Sequence, residues 1–245
     1  RATGVLIDPT GEAQLTRLYE RFTGRLQTLA ELVREKKHLV LRDLLGSDVN
    51  RLTALFVAVC ERHRRHRDYT RHELHEVLRE TLACMTVYRS YVRAPVGEVS
   101  EDDVAIVEAA VACAKRHRPD LDASAFDFLG DVLLLRVPGA REGELATRFQ
   151  QLSAPTMAKG VEDTAFYVYE RFAVLNEVGG EPLEFGTSVE AFHRANAEVA
   201  ECWPLTLLAT STHDTKRSAD VRARLALLSE IPDLWTSAVE RWSQR

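Results

Sequence analysis

A chain of 245 residues has room for one large domain or two small ones. With 45% hydrophobic and 28% charged residues it has the balance of a globular protein, and a net charge of −5 excludes a global positive field that would draw in nucleic acid or an acidic membrane surface. No apolar run approaches the roughly 18 residues needed to cross a bilayer, and no basic start followed by an apolar stretch marks a secretory signal.

Apolar residues at three- and four-residue steps predict helices through the first two thirds of the chain. Leu15, Leu18, Tyr19 and Phe22 form one stripe over Glu12 to Phe22, with Gly24 as its stop. A longer helix carries Leu26, Leu29, Leu32 and Val33 towards Leu44 and Leu45 and is closed by Gly46. Ser47 or Asp48 then caps a helix bearing Leu52, Leu55, Phe56, Val59 and Cys60. Thr70 with Glu73 is a capping-box pattern for a helix reaching about Tyr88. Ser100, followed by Glu101, Asp102 and Asp103, opens another, because carboxylates suit the positive end of the helix dipole; Lys115, Arg116, His117 and Arg118 suit its negative end. Two further helices are expected around 123–136 and 141–152.

After about Ser153 the texture changes to short apolar pieces alternating with helices. Pro155 to Gly160 is followed by a helical Glu162 to Tyr169, a Gly/Pro/Asn-rich loop from Asn176 to Gly186, and a helix from Ser188 to Cys202. Leu205 to Thr210 reads as a buried strand that runs into a polar loop, followed by a helix with Val221, Leu225 and Leu228. Short buried strand, polar loop and helix make the repeating unit of an α/β barrel, which closes only with eight strands. The expected architecture is therefore mainly α: a helical insertion over residues 1–152, then the last strand-loop-helix units of an incomplete (β/α)8 barrel over 153–245.

Two polar clusters are candidates for chemistry. Ser211 to Ser218 lies at the C-terminal end of the expected strand, the edge where barrel enzymes gather their working groups. His213 and Asp214 are adjacent there and can face a common ligand, while Lys216 and Arg217 can bond hydroxyls or orient a carboxylate. The plainer alternative is that Thr212 or Asp214 caps the next helix. In the second cluster, Lys159, Glu162 and Asp163 precede Phe166 and Tyr167. Aromatic rings beside carboxylates suit a sugar, with its apolar faces and hydroxyl edges; the alternative is that the acids satisfy a helix N-terminus and the rings are core.

No metal site is expected. The His63/His66 and His72/His75 spacings differ from the i, i+4 pairs of helical zinc sites, and the flanking arginines repel a dication. Cys60, Cys84, Cys113 and Cys202 lie far apart in sequence without a CxxC pair and read as buried free thiols in a reducing compartment, the cytoplasm.

At the two clusters the chain resembles a known family. The stretch Met157 to Tyr167, then Leu175-Asn-Glu-Val-Gly-Gly180, Ala209 to Ser218 and Asp220-Val-Arg-Ala-Arg224 are similar to maltooligosyl trehalose synthase, of the α-amylase superfamily. Ile7 to Glu12 and Phe22-Thr-Gly24 are similar to the segment after the family's fifth strand region. The resemblance implies an isomerase of carbohydrate metabolism and trehalose biosynthesis. It would turn the reducing-end α-1,4 link of a maltooligosaccharide into an α,α-1,1 link by intramolecular transglucosylation, without a cofactor. In the retaining route of this superfamily a carboxylate attacks the anomeric carbon, a carboxylic acid protonates the leaving oxygen and a third carboxylate steadies the sugar. Asp214 matches the third carboxylate and His213 its partner. Lys159, Glu162, Asp163, Tyr167, Lys216 and Arg217 are implied substrate-binding residues.

The family's nucleophile, in an arginine-x-aspartate motif, and its acid glutamate have no counterpart in this chain. The resemblance places both upstream of Arg1, so the isolated chain is expected to be inactive. Its expected partners are a maltooligosaccharide, the N-terminal catalytic part of the same enzyme and, through exposed apolar surface, further copies of itself. Two other readings remain open from sequence: an α-glucan hydrolase of the same superfamily, and a helical interaction module without chemistry.

Overall fold

The computed structural model describes residues 2–24 and 27–244. Its α-helices in chain order are α1 (Ala2–Val5), α2 (Glu12–Thr23), α3 (Leu29–Asp43), α4 (Gly46–Cys60), α5 (Arg71–Cys84), α6 (Glu101–His117), α7 (Ala123–Leu133), α8 (Ala140–Met157), α9 (Val189–Cys202), α10 (Ala219–Ala226) and α11 (Pro232–Ser243). No strand occurs among the described residues, and none of their helices is long and apolar enough to cross a membrane. The chain divides into two compact units: residues 29–165, and a second formed by residues 1–28 with 166–245. The division does not fall at 152/153, because α8 runs on through Leu152 and the turn that follows it packs on α3.

In the helical unit α5 is the hub, packing against α3, α4, α6, α7 and α8. Phe56, Leu78, Phe126, Leu129, Leu145 and Phe149 are fully buried in its core, each contributing about 1.5–3 kcal/mol by leaving water. The polar ends follow the expected chemistry. Thr70 and Glu73 form the capping box of α5, and Ser100 and Asp103 that of α6, so orphan amides at both starts are satisfied. Glu80 lies buried inside this bundle, accepting from Arg34 Nε at 2.6 Å and Nη2 at 2.7 Å, with His38 Nε2 at 3.1 Å. Burial pushes its carboxyl up, but the His38 and Arg34 hydrogen bonds outweigh that and hold it at about 2.

Several expected boundaries move. Gly46 does not close a helix but begins α4, whose N-cap is Leu45 with no side-chain bond from Ser47 or Asp48. Helix α3 ends at Asp43, and Leu26 lies outside the described residues. Helix α5 stops at Cys84, where Met85 turns extended and leads the chain to Tyr88. The Pro155 to Gly160 stretch is not a separate apolar piece: α8 continues through Pro155 to Met157 and passes into a π-helical turn, Ala158–Glu162. Only a short 3-10 turn, Ala165–Tyr167, occupies the region expected to be helical up to Tyr169.

In the second unit the N-terminal segment is fastened to the C-terminal one. Asp8 N–H donates to Ser229 Oγ at 2.8 Å, Gln14 Nε2 donates to Asp233 Oδ1 at 2.6 Å, and Thr187 N–H donates to Gly4 O at 3.0 Å. Gly11 permits this approach, since a Cβ there would fall 2.3 Å from the Ser229 carbonyl oxygen. Ile7, Leu15, Phe172, Val174, Phe185 and Ala226 form the small core.

The expected buried strand is absent. Leu205, Leu207 and Leu208 lie in irregular chain and are 93%, 96% and 88% exposed. A strand needs neighbouring strands to pair its N–H and C=O groups and to cover its side chains, and the described residues offer none. The local preference is therefore left without the ladder that would realise it.

Candidate functional site

The residues singled out in the sequence divide between the two units. Lys159, Glu162 and Asp163 belong to the helical unit; Tyr167, His213, Asp214, Lys216 and Arg217 belong to the other.

Lys159 and Glu162 lie on the π turn, whose wider winding follows Pro155, a residue that cannot donate to the helix ladder. Gly160 lets the turn close onto α3: a Cβ there would stand 2.7 Å from Lys37 Cγ and 3.0 Å from its Cα. Lys159 Nζ donates to Asp163 Oδ2 at 2.6 Å, an exposed pair one turn apart. Glu162 is buried and accepts a short hydrogen bond from the Tyr88 hydroxyl. Burial, and then that bond to an anionic acceptor, push the Tyr88 phenol well above its ordinary value, so the hydroxyl keeps its proton and remains a donor. The carboxylates thus do not serve as the N-cap of a following helix. Glu162 is fixed by a tyrosine from beyond α5, and Asp163 is paired with Lys159.

In the second unit Thr212 to Thr215 forms a tight turn. Thr215 N–H donates to Thr212 O at 3.2 Å, and Thr212 N–H donates to Thr215 Oγ1 at 2.6 Å. His213 and Asp214 occupy its tip, with His213 Nε2 3.5 Å from Asp214 Oδ2 and the side chains 91% and 68% exposed. Neither Thr212 nor Asp214 caps a helix. That role falls to Ser218, whose hydroxyl accepts from Val221 N–H at the start of α10. The His-Asp pair is therefore free of structural duty and open to solvent.

The turn is anchored from the Asn176-Glu177 loop. Glu177 accepts the Lys216 amide at Oε1, 2.7 Å, and the Arg217 amide at Oε2, 3.3 Å. Asn176 is buried, its Nδ2 donating to Phe166 O and Tyr169 O, and its own carbonyl accepts from Arg217 Nη1 at 3.5 Å. Lys216 Nζ stands 6.0 Å above the centre of the half-exposed Tyr167 ring. A charged amine thus stands over an aromatic face, two residues along the chain from an exposed carboxylate.

Sequence reasoning passed over Glu177, Asn176 and Tyr88. The first two stood inside the Leu175 to Gly180 motif, but nothing in their spacing tells that a carboxylate there reaches two amides some 40 residues on. The histidine run is structural: His63 Nε2 lies 3.1 Å from Glu142 Oε1, and the His66 ring stacks on Phe128 at 3.9 Å.

No family model matches the chain. Proteins of two Mycobacterium tuberculosis strains that carry a provisional maltooligosyl trehalose synthase name are 33% identical to it over 236 residues, 96% of this chain and 28% of theirs. The structure of maltooligosyltrehalose synthase from Arthrobacter ramosus matches with a TM-score of 0.79 at 36% identity, over 96% of this chain and 28% of that one. A structure from Sulfolobus tokodaii, described as a hypothetical maltooligosyl trehalose synthase, matches with a TM-score of 0.70 at 26% identity over 99% and 28%. By sequence and by fold alike, this chain is similar to a stretch of maltooligosyl trehalose synthases that makes up 28% of their length.

Proposed function

We propose that this chain is the corresponding part of a maltooligosyl trehalose synthase, and that the whole enzyme turns the reducing-end α-1,4 link of a maltooligosaccharide into an α,α-1,1 link. The observation that carries the reading is similarity across 96% of the chain together with a His213-Asp214 pair that no structural role consumes. In the retaining route, positive charge develops at the anomeric carbon as the leaving oxygen is protonated. Asp214 would steady the sugar at that moment through its hydroxyls and its negative charge, with His213 bonding the same ring. Lys216, Arg217 and Tyr167 would hold the neighbouring glucose, and Lys159, Glu162 and Asp163 would contribute to the reducing-end subsites, where the released glucose turns over before it rejoins. The nucleophile and the acid belong, in this reading, to the remaining length of the enzyme, so the chain alone is inactive.

The test is product analysis of the complete enzyme with maltohexaose. Reducing ends should disappear with no change in chain length and little free glucose. Release of glucose or shortened saccharides with rising reducing power would instead make the protein an α-glucan hydrolase.

A further inference from the structure

Apart from those clusters, the helical unit gathers a set of side chains that the reaction does not use. Cys84 is the last residue of α5; Cys113 and His117 stand one turn apart near the end of α6. The two sulfurs and a ring nitrogen of His117 all lie within 4.8 Å of one another. Cys84 is buried, Cys113 half-buried and His117 exposed, so the cluster opens to solvent at its imidazole side. Around a tetrahedral zinc, bonds of about 2.3 Å to sulfur and about 2.0 Å to nitrogen would bring these atoms to roughly 3.5–3.8 Å, a contraction of about 1 Å. Rotation of the exposed His117 and half-buried Cys113 side chains supplies such a shift.

We propose that Cys84, Cys113 and His117 form a binding site for a thiophilic divalent cation, zinc. Two thiols and an imidazole are a soft-to-borderline donor set that selects zinc over magnesium or calcium, and three protein ligands leave the fourth position to water on the open side. As each sulfur–metal bond forms, the thiol releases its proton to solvent, so two thiolates neutralise the dication. The surroundings are compatible with that charge. Cys113 and His117 lie in the last turns of α6, whose dipole presents its negative end to a cation. Of the cations nearby, Arg34 is matched by Glu80, Lys115 by Asp127, and Arg118 by Asp120 and Glu76, while the buried Lys37, bonded to Met85 O beside Cys84, carries a charge that two thiolates would offset. Glu80, whose Oε1 lies 3.7 Å from Cys84 Sγ, is occupied by Arg34 and His38 and stays outside the ligand set. The ion would staple the C-terminal end of α5 to α6.

The test uses the full chain, reduced and anaerobic, with zinc sulfate as the probe. One equivalent of zinc should survive gel filtration by elemental analysis. Affinity, read by competition with a chromophoric chelator, should fall at least ~100-fold in both Cys113→Ser and His117→Gln, the upper end of what even an outer-shell partner is worth. Because His117 is exposed, its variant should keep the far-UV spectrum of the parent. In the unsubstituted chain zinc should also slow alkylation of Cys113 while leaving the exposed Cys202 reactive. Failure to retain zinc, undiminished binding in either variant, or alkylation of Cys113 at an unchanged rate would overturn the proposal.

Discussion

The side chains that matter most to the candidate chemistry are held by neighbours rather than by their own elements. Glu177 is the clearest case. Its carboxylate receives the Lys216 and Arg217 amides and so fixes the turn that presents His213 and Asp214. In the complete enzyme, Glu177→Gln keeps the shape but gives up the charge and one acceptor, and the turn loses its anchor. The expected result is a fall in kcat/KM of about 10²-fold, the cost of a displaced reacting group, with an unchanged circular dichroism spectrum. An unaltered kcat/KM would mean that the anchor is irrelevant to the reaction. Lys37 acts on stability instead. Its ammonium is buried, donates to Met85 O at 2.5 Å, and burial lowers it from 10.5 to about 8. Below pH 8 both folded and unfolded chains hold the proton, and the folded state bears the full cost of the buried charge. Between pH 8 and 10.5 the unfolded chain holds more protons, so stability rises with pH through that window. Lys37→Met should accordingly stabilise the chain at pH 7 in urea unfolding, by up to ~3 kcal/mol at 1.36 kcal/mol per unit less the lost hydrogen bond, and the gain should shrink towards pH 10.5.

Among the elements, those whose signals are local were legible in the sequence. The capping box at Thr70, the acidic helix start at Ser100 and the stop at Gly24 are short-range chemistry, and each is found where the residues announce it. Elements that depend on distant partners were not legible. Leu205 to Thr210 carries the pattern of a buried strand, yet a strand is completed by its neighbours, and without them its leucines stand in solvent. Pro155 to Gly160 read as a separate short apolar piece, but α8 passes through Pro155 and yields only afterwards, at the π turn. Gly160 on that turn meets α3 so closely that Gly160→Ala would drive a methyl into the Lys37 side chain and backbone. The expected loss is about 1–3 kcal/mol, read as a lower urea midpoint at constant slope. Equal stability would mean that the turn and α3 separate without cost. The candidate site was half legible: residue types and motif order pointed to His213, Asp214 and Lys216, while Glu177, Asn176 and Tyr88 act through space in ways spacing cannot reveal. The sequence reading expected no metal site and passed over Cys113 and His117, which the packing of α5 on α6 brings beside Cys84.

At the scale of the molecule, three leucines and Trp203 at 71% exposure are more apolar surface than one short segment of a stable monomer normally shows. Taken alone, the chain should self-associate, and Leu207→Asp with Leu208→Asp should return it towards a monomer in sedimentation velocity; a monomeric parent at high concentration would contradict this. Under the proposed function, neighbouring strands of the complete enzyme would cover the same segment, with His213 and Asp214 at its end facing the sugar. The measurement that tests this account most directly is the rate of maltohexaose conversion by the complete enzyme carrying Asp214→Asn. If Asp214 steadies the developing charge, kcat should fall by about 10²–10³-fold, the usual cost of one electrostatic partner at the transition state, while thermal stability stays unchanged because the side chain is exposed and caps nothing. Conversion at the parent rate would contradict the account, since the pair at the tip of the turn would then have no part in the chemistry.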